Sequence, residues 1–134
     1  MSKRIHKIFA LLLVIIMILG MLPEKALATE KRGQVRVIVE NTTYWKDDGA
    51  PWDGKLVDMW VDIDNESTMM SAVVDALKNY EQEGAEYNYI ASINGLAQFD
   101  GGGTSGWMGS LNDWFVDQGF GAITVADGTL EAGD

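Results

Sequence analysis

The sequence predicts an α+β domain, one helix packed on a mainly antiparallel sheet, and three patterns carry that prediction. An alternating strand stands near the front, one amphipathic helix lies in the middle, and an aromatic hairpin comes towards the end. The order of elements is strand, strand, helix, strand, hairpin, in which runs of strands are separated by a single helix.

Gln34 to Glu40 (QVRVIVE) sets Val35, Val37 and Val39 against Gln34, Arg36 and Glu40, the period of two that marks a half-buried strand. Residues 41 to 54 (NTTYWKDDGAPWDG) are rich in turn residues yet hold Trp45 and Trp52. Such a stretch either folds over the edge of the core or binds something. Leu56 to Ile63 (LVDMWVDI) reads as a second strand, with apolar residues on both faces.

From Thr68 the period changes. Met70, Val73, Val74 and Leu77 fall at i, i+3, i+4 and i+7 and share one helix face, while Asp75, Lys78 and Asn79 point away. Ser67 or Thr68 is placed to cap the first turn, and Gly84 to end the helix or the frayed segment after it. Met69 and Met70 read as core at this spacing. Tyr87 to Ile93 (YNYIASI) alternates again and is expected to be the third strand. Asn94-Gly95 supplies a turn, and Leu96 to Phe99 follows.

Residues 99 to 115 (FDGGGTSGWMGSLNDWF) contain a G-x-G-x-x-G match at Gly101, Gly103 and Gly106. A phosphate cradle needs a helix opening at the last glycine. Here Asn112-Asp113 is instead a turn pair between aromatic runs, so the segment reads as a β-hairpin, with the glycines permitting positive φ and close backbone approach in an exposed loop. A two-residue loop sets Leu111 opposite Trp114, Ser110 opposite Phe115 and Gly109 opposite Val116. Trp107, Gly109, Leu111, Trp114 and Val116 then share one face, with Met108, Ser110 and Phe115 on the other. Trp107, at the hairpin base, is expected to be the more buried, and Trp114, one residue past the turn, the more exposed.

The first residues read as a targeting segment. Lys3, Arg4 and Lys7 precede an apolar run from Ile8 to Leu22, and Ala26-Leu27-Ala28 fits a cleavage site. Residues 1 to 28 are therefore expected to be a signal peptide, residues 29 to 33 a short exposed segment, and residues 34 to 134 one domain of an exported protein. Removing the signal leaves six Lys and Arg against nineteen Asp and Glu, which takes the formal charge from −10 to −13. So acidic a chain repels nucleic acid and anionic lipid, and no stable membrane insertion is expected after cleavage.

With His6 in that segment and no cysteine anywhere, the mature chain lacks both residue types. This excludes Ser-His-Asp and Cys-His catalysis and the usual zinc sites, and no enzyme activity is expected. Asp62, Asp64 and Glu66 invite a calcium reading, but the loop glycine and distal Glu of an EF-hand are missing, so an acidic strand end is the reading kept. The absence of cysteine from an exported chain points to a bacterial rather than an animal source, in which the sequons Asn41-Thr42-Thr43 and Asn65-Glu66-Ser67 carry little weight.

The stretch SINGLAQFDGGGTSGWMGSLNDWF, followed by GFGAITVADGTLEAGD, resembles the transcobalamin-like C-terminal domain, a bacterial family of uncharacterised function found in large surface proteins. The likeness runs from about Gln34 to Asp134 and rests on Ile93-Asn94-Gly95-Leu96, Phe99-Asp100-Gly101, Ser105-Gly106-Trp107-Met108, Asn112 and Asp127-Gly128-Thr129. It implies a β-grasp-like sheet whose final strand would lie beyond Asp134, the chain being read as a truncated piece of a larger multidomain surface protein. Gly109 and Asp113 stand where relatives often have Tyr and Gly.

The function implied is a non-catalytic module at the bacterial surface or outside the cell, contacting a glycan or protein through the hairpin and glycine loop. A domain that covers cobalamin or another corrinoid is the alternative, without a histidine to ligate cobalt, and a structural spacer the second. No cofactor is implied beyond cobalamin as a bound ligand. The candidate contact residues are Phe99, Asp100, Gly103, Trp107, Trp114 and Phe115.

Overall fold

The computed structural model describes Lys7 and residues 30 to 134, so the expected signal peptide and its Ala26-Leu27-Ala28 site lie outside the described residues, Lys7 apart. Over residues 30 to 134 the fold is α+β, with one helix and antiparallel pairing in every sheet. Strands β1 (Lys31–Asn41) and β2 (Gly54–Asp64) form a long ribbon in which Val35 faces Val61, Val37 faces Met59 and Val39 faces Val57. Alternation does what the period implied, burying Val35, Val37 and Val39 beside Val57, Val61 and Ile63. The register slips after Val39, where Glu40 meets Lys55 and Leu56 becomes the extra residue of a bulge. Lys31 to Gly33 are exposed but already belong to the ribbon.

Helix α1 (Met69–Ala76) starts where its cap dictates. The Thr68 hydroxyl accepts from the Ser71 N–H at 3.0 Å, and the Ser71 hydroxyl accepts from the Thr68 N–H at 2.9 Å, which satisfies donors that the first turn leaves open. Met70 and Leu77 are buried as the spacing predicts, but Val73 and Val74 are only partly so. Ala72 and Ala76 are buried in their place, beside Leu77, because their small side chains let the helix lie close on the ribbon.

Two expectations need correction after the helix. Helix α1 ends at Ala76, well before Gly84; Gly84 instead stands at φ 97°, opening a 3-10 turn over Ala85–Tyr87. A side chain there would run into the Tyr89 carbonyl. The expected strand from Tyr87 to Ile93 shrinks to β4 (Ser92–Ile93), held between β3 (Gln82–Glu83) and β5 (Leu96–Ala97). Tyr87 and Tyr89 are exposed, and Asn88 takes φ 58°. The Tyr87 and Tyr89 N–H groups both return to the Gly84 carbonyl, so this stretch closes on itself and offers no edge to a neighbour. Asn94-Gly95 forms the turn foreseen, with φ 48° and 83°.

The hairpin of β6 (Ser110–Leu111) and β7 (Trp114–Phe115) has the predicted register, Ser110 opposite Phe115 and Leu111 opposite Trp114. Asn112 and Asp113 both carry positive φ, 50° and 68°, which gives a primed two-residue turn. Beyond it, Phe120–Ala122 forms a 3-10 turn, and the Ile123 carbonyl accepts from Met69 N–H at the start of α1. Ile123 and Leu130 complete the core. At the end of the chain, Gly133 N–H donates to the Gln34 carbonyl and Arg36 N–H donates to the Asp134 carbonyl, both at 2.8 Å. These bonds lie on the edge of β1 that faces away from β2.

Candidate functional site

The site is built on two tryptophans from distant parts of the chain. Trp52, buried in the loop between β1 and β2, stacks on Trp107 with ring centres 5.7 Å apart and planes 20° from parallel. Each indole N–H is used. Trp52 Nε1 donates to the Ile93 carbonyl at 3.2 Å and Trp107 Nε1 to the Leu96 carbonyl at 2.9 Å. The stacked pair thus grips the β4–β5 hairpin on both sides of its turn, and a buried indole N–H without such a partner would be costly.

The glycine segment lies between this pair and the β5 end. Phe99 N–H donates to the Ser105 carbonyl, Gly102 N–H to the Phe99 carbonyl and Ser105 N–H to the Gly102 carbonyl, a loop closed by its own backbone. The expectation that the three motif glycines serve positive φ is overturned, since Gly101, Gly103 and Gly106 do not occupy that region; Gly102 (φ 139°) and, unusually, Phe99 (φ 69°) do. Gly101 serves close approach, as a side chain there would press on Tyr44. No helix opens at Gly106, so the backbone N–H groups are not arrayed for a phosphate.

The six candidate contact residues therefore divide. Trp107 is half-buried and spent on the stack and the Leu96 carbonyl. Asp100 turns inward to its own loop, its carboxylate accepting from Ala97 N–H at 2.8 Å. Gly103 is exposed and touches nothing that a side chain would disturb. Phe99, Trp114 and Phe115 are open to solvent, Trp114 at 80% and Phe115 at 70% of full exposure. Among the described residues none of these three forms a ring pair, so Phe99 is not joined to the hairpin tip by stacking. Met108, placed by the register on the Phe115 face but nearer the hairpin base, is 75% exposed as well. Alternation alone pointed to it.

The tip is held firmly. Val116 N–H donates to the Gly109 carbonyl, extending the ladder one rung, and Asn112 Nδ2 donates to the Asp134 carboxylate at 2.8 Å. Leu111 and Val116 pack on the core, and the Phe120 ring lies directly over Gly109, in space that any side chain would fill.

Charge is concentrated elsewhere. On the solvent face of the ribbon, Arg36 reaches Asp58 with two bonds of 2.8 Å and Lys55 reaches it at 3.0 Å. Hydrogen bonding from the Arg36 guanidinium, and then from Lys55, holds the Asp58 carboxyl well below the usual range. Bonds from Thr129 and Thr124 lower Asp127 in the tight turn before Leu130. Asp64, one of the acidic trio, is engaged by Ser67 and the Glu66 N–H, and Asp62 by Gln34. Among the described residues no cluster of carboxylates is arranged to hold a metal, and no helix is long and apolar enough to cross a membrane.

Fold and site together define a small α+β domain that presents apolar side chains on a rigid hairpin tip. Residues 66 to 130 match the family model described as a domain of unknown function (DUF4430). The matched segment runs from the turn before α1 through the glycine loop and hairpin to Leu130, leaving the β1–β2 ribbon outside it. No curated protein and no solved structure gives a match.

Proposed function

We propose that this domain is a non-catalytic, extracellular binding module of a bacterial surface protein, related to the transcobalamin-like C-terminal domains, that contacts a glycan or protein partner through the β6–β7 tip. The observation that carries the reading is the exposure of Trp114, Phe115 and Met108 on a hairpin whose register, turn and anchor to Asp134 are all fixed. Large apolar side chains left in water lower solubility and contribute nothing to the fold there, whereas preorganised aromatics lower the entropic cost of binding. Phe99 adds a separate exposed aromatic on the glycine loop. The export pattern of residues 1 to 28 supports the compartment.

The test is a glycan array and a surface-protein binding screen, run in parallel on the wild type and a Trp114→Ala/Phe115→Ala double variant, with a cobinamide titration beside them. Binding by the wild type that the double variant loses supports the module. Binding retained by the double variant, or no binding to either class, refutes the tip as the contact surface. Saturable binding of cobinamide alone replaces the reading with a corrinoid-covering domain.

A further inference from the structure

A cleft of about 300 Å³ opens between the segment Asn88 to Ile90 and the segment Val116 to Phe120. Ile90, Trp107, Val116 and Phe120, which pack on the core, give it an apolar floor. Tyr89 lies at its wall, its ring held by a bond from the hydroxyl to Gln98. Met108 closes another side, so the cleft adjoins the hairpin face that carries Phe115. Among the described residues none from β1 and none after Phe120 lines it, which sets it apart from the edge of β1 along which Gly133 and Asp134 run.

Three polar side chains line the same cleft, Asn88, Asp117 and Gln118, and none of them has a side-chain hydrogen bond or ion pair among the described residues. Comparable groups elsewhere on the surface are spent, Gln34 on Asp62, Asn112 on Asp134 and Asp100 on the Ala97 N–H. Asn88 is nevertheless fixed. Its backbone takes φ 58°, its N–H donates to the Ala85 carbonyl, and a side chain at Gly121 would collide with its amide. Glycine at 121 thus leaves room for an amide held in one place with donor and acceptor both open. The lining contains no Lys or Arg, and Asp117 is its single charge. Phosphates and carboxylates find no cation there, and one carboxylate does not hold a metal.

We propose that this cleft takes the terminal, uncharged sugar of a glycan, an inference that rests on the glycan reading of the domain and gives that glycan its place. A pyranose has a C–H face that packs on rings and aliphatic carbon, and a rim of hydroxyls that both donate and accept. Tyr89, Phe120 and Met108 suit the first, while Asn88, Asp117 and Gln118 suit the second. The volume is at the small end for ligand cavities, enough for one sugar ring and too small to enclose a corrinoid. An apolar side chain from a protein partner would fill the floor but leave the three polar groups without partners. Further units of the glycan then extend over the face of Met108 and Phe115 towards the tip.

The experiment is an NMR titration of the full chain with N-acetylglucosamine, glucose and galactose, with sialic acid as the anionic comparator. Saturable shifts centred on the amides of Asn88, Tyr89, Gln118 and Gly119 are expected with at least one of the uncharged sugars, and none with sialic acid. Asp117 and Gln118 are exposed, so an Asp117→Ala/Gln118→Ala double variant should fold and bind the same sugar about tenfold more weakly or worse. Trp114→Ala/Phe115→Ala should leave the single sugar bound. No saturable shift with any uncharged sugar, an equal response to sialic acid, or unchanged affinity in the cleft variant would each overturn the proposal. A glycan whose binding needs the tip pair but leaves Asn88 and Gln118 unshifted overturns it too, with the tip reading intact. A surface protein that only the cleft variant fails to bind, without any response to sugar, assigns the cleft to a protein instead. Should the cleft variant fail to fold, the shift map of the wild type still decides.

Discussion

Replacing Trp107 by alanine removes three things at once, and the structure allows each to be weighed. The bond from Nε1 to the Leu96 carbonyl is worth about 1 kcal/mol. The stacked ring pair with Trp52 contributes about 1 kcal/mol beyond the area it covers. Burial of a half-exposed indole adds about another 1 kcal/mol. The expected loss is therefore about 3 kcal/mol, at the low end for a tryptophan truncation because the ring is not fully enclosed. Trp107→Phe keeps a ring against Trp52 but leaves the Leu96 carbonyl without its donor, and should cost about 1 to 2 kcal/mol. Trp114→Ala, at the exposed tip, should stay within about 0.5 kcal/mol of wild type. Urea melts of the three variants, with thermal midpoints alongside, provide the comparison; each kcal/mol should lower the midpoint by about 4 °C or more. Comparable large losses for Trp107→Ala and Trp114→Ala would refute the division between a structural base and a free tip, and with it the proposed contact surface.

Other perturbations test the frame around that site. Thr68→Ala removes half of the capping box and should cost about 1 kcal/mol, measured by denaturant melt, while Thr68→Ser should cost much less. Gly84→Ala forces a side chain into the left-handed region and against the Tyr89 carbonyl, so a loss of about 2 kcal/mol or more is expected, with faster amide exchange at Tyr87 and Tyr89. The Asp58 carboxyl titrates below its unfolded value, so its stabilising contribution is complete above about pH 4 and lost as pH falls through the folded value. Asp58→Asn should remove part of the acid-side slope of stability while changing little at neutral pH, because the group is on the surface; equal slopes in wild type and variant would contradict this.

The parts of this fold legible in the sequence are those whose cause is local. Val35, Val37 and Val39 alternate because one face of the ribbon is buried, and Thr68 with Ser71 marks the start of a helix because the pair satisfies its first free donors. Asn112-Asp113 fixes its hairpin register because both residues tolerate positive φ, and from that register Trp114 could be placed in solvent. Tyr87 to Ile93 misleads for the opposite reason. Its alternation is real, but a strand exists only where a neighbour accepts its bonds, and Gly84 draws the segment into a closed turn. The Trp52–Trp107 stack is equally out of reach, since nothing in either neighbourhood names the other partner. Asp100 reads as a contact residue in the sequence, yet its carboxylate is taken by Ala97 N–H, a bond that depends on the unusual backbone of Phe99 beside it.

Asn41 closes β1 with only 5% of its surface exposed, and both ends of its amide are engaged. Nδ2 donates to the Tyr44 and Trp52 carbonyls, and Oδ1 accepts from Tyr44 N–H at 3.1 Å. This asparagine is also the acceptor position of an Asn41-Thr42-Thr43 sequon. A sugar attached to Nδ2 would take the nitrogen that secures the Trp52 loop and would need room where the loop already lies. The choice of expression host thus becomes a structural matter. In a eukaryotic secretory pathway, where glycans are added before folding is complete, modification at Asn41 would stop the loop from closing over the core, whereas a bacterial host leaves the amide free to fold.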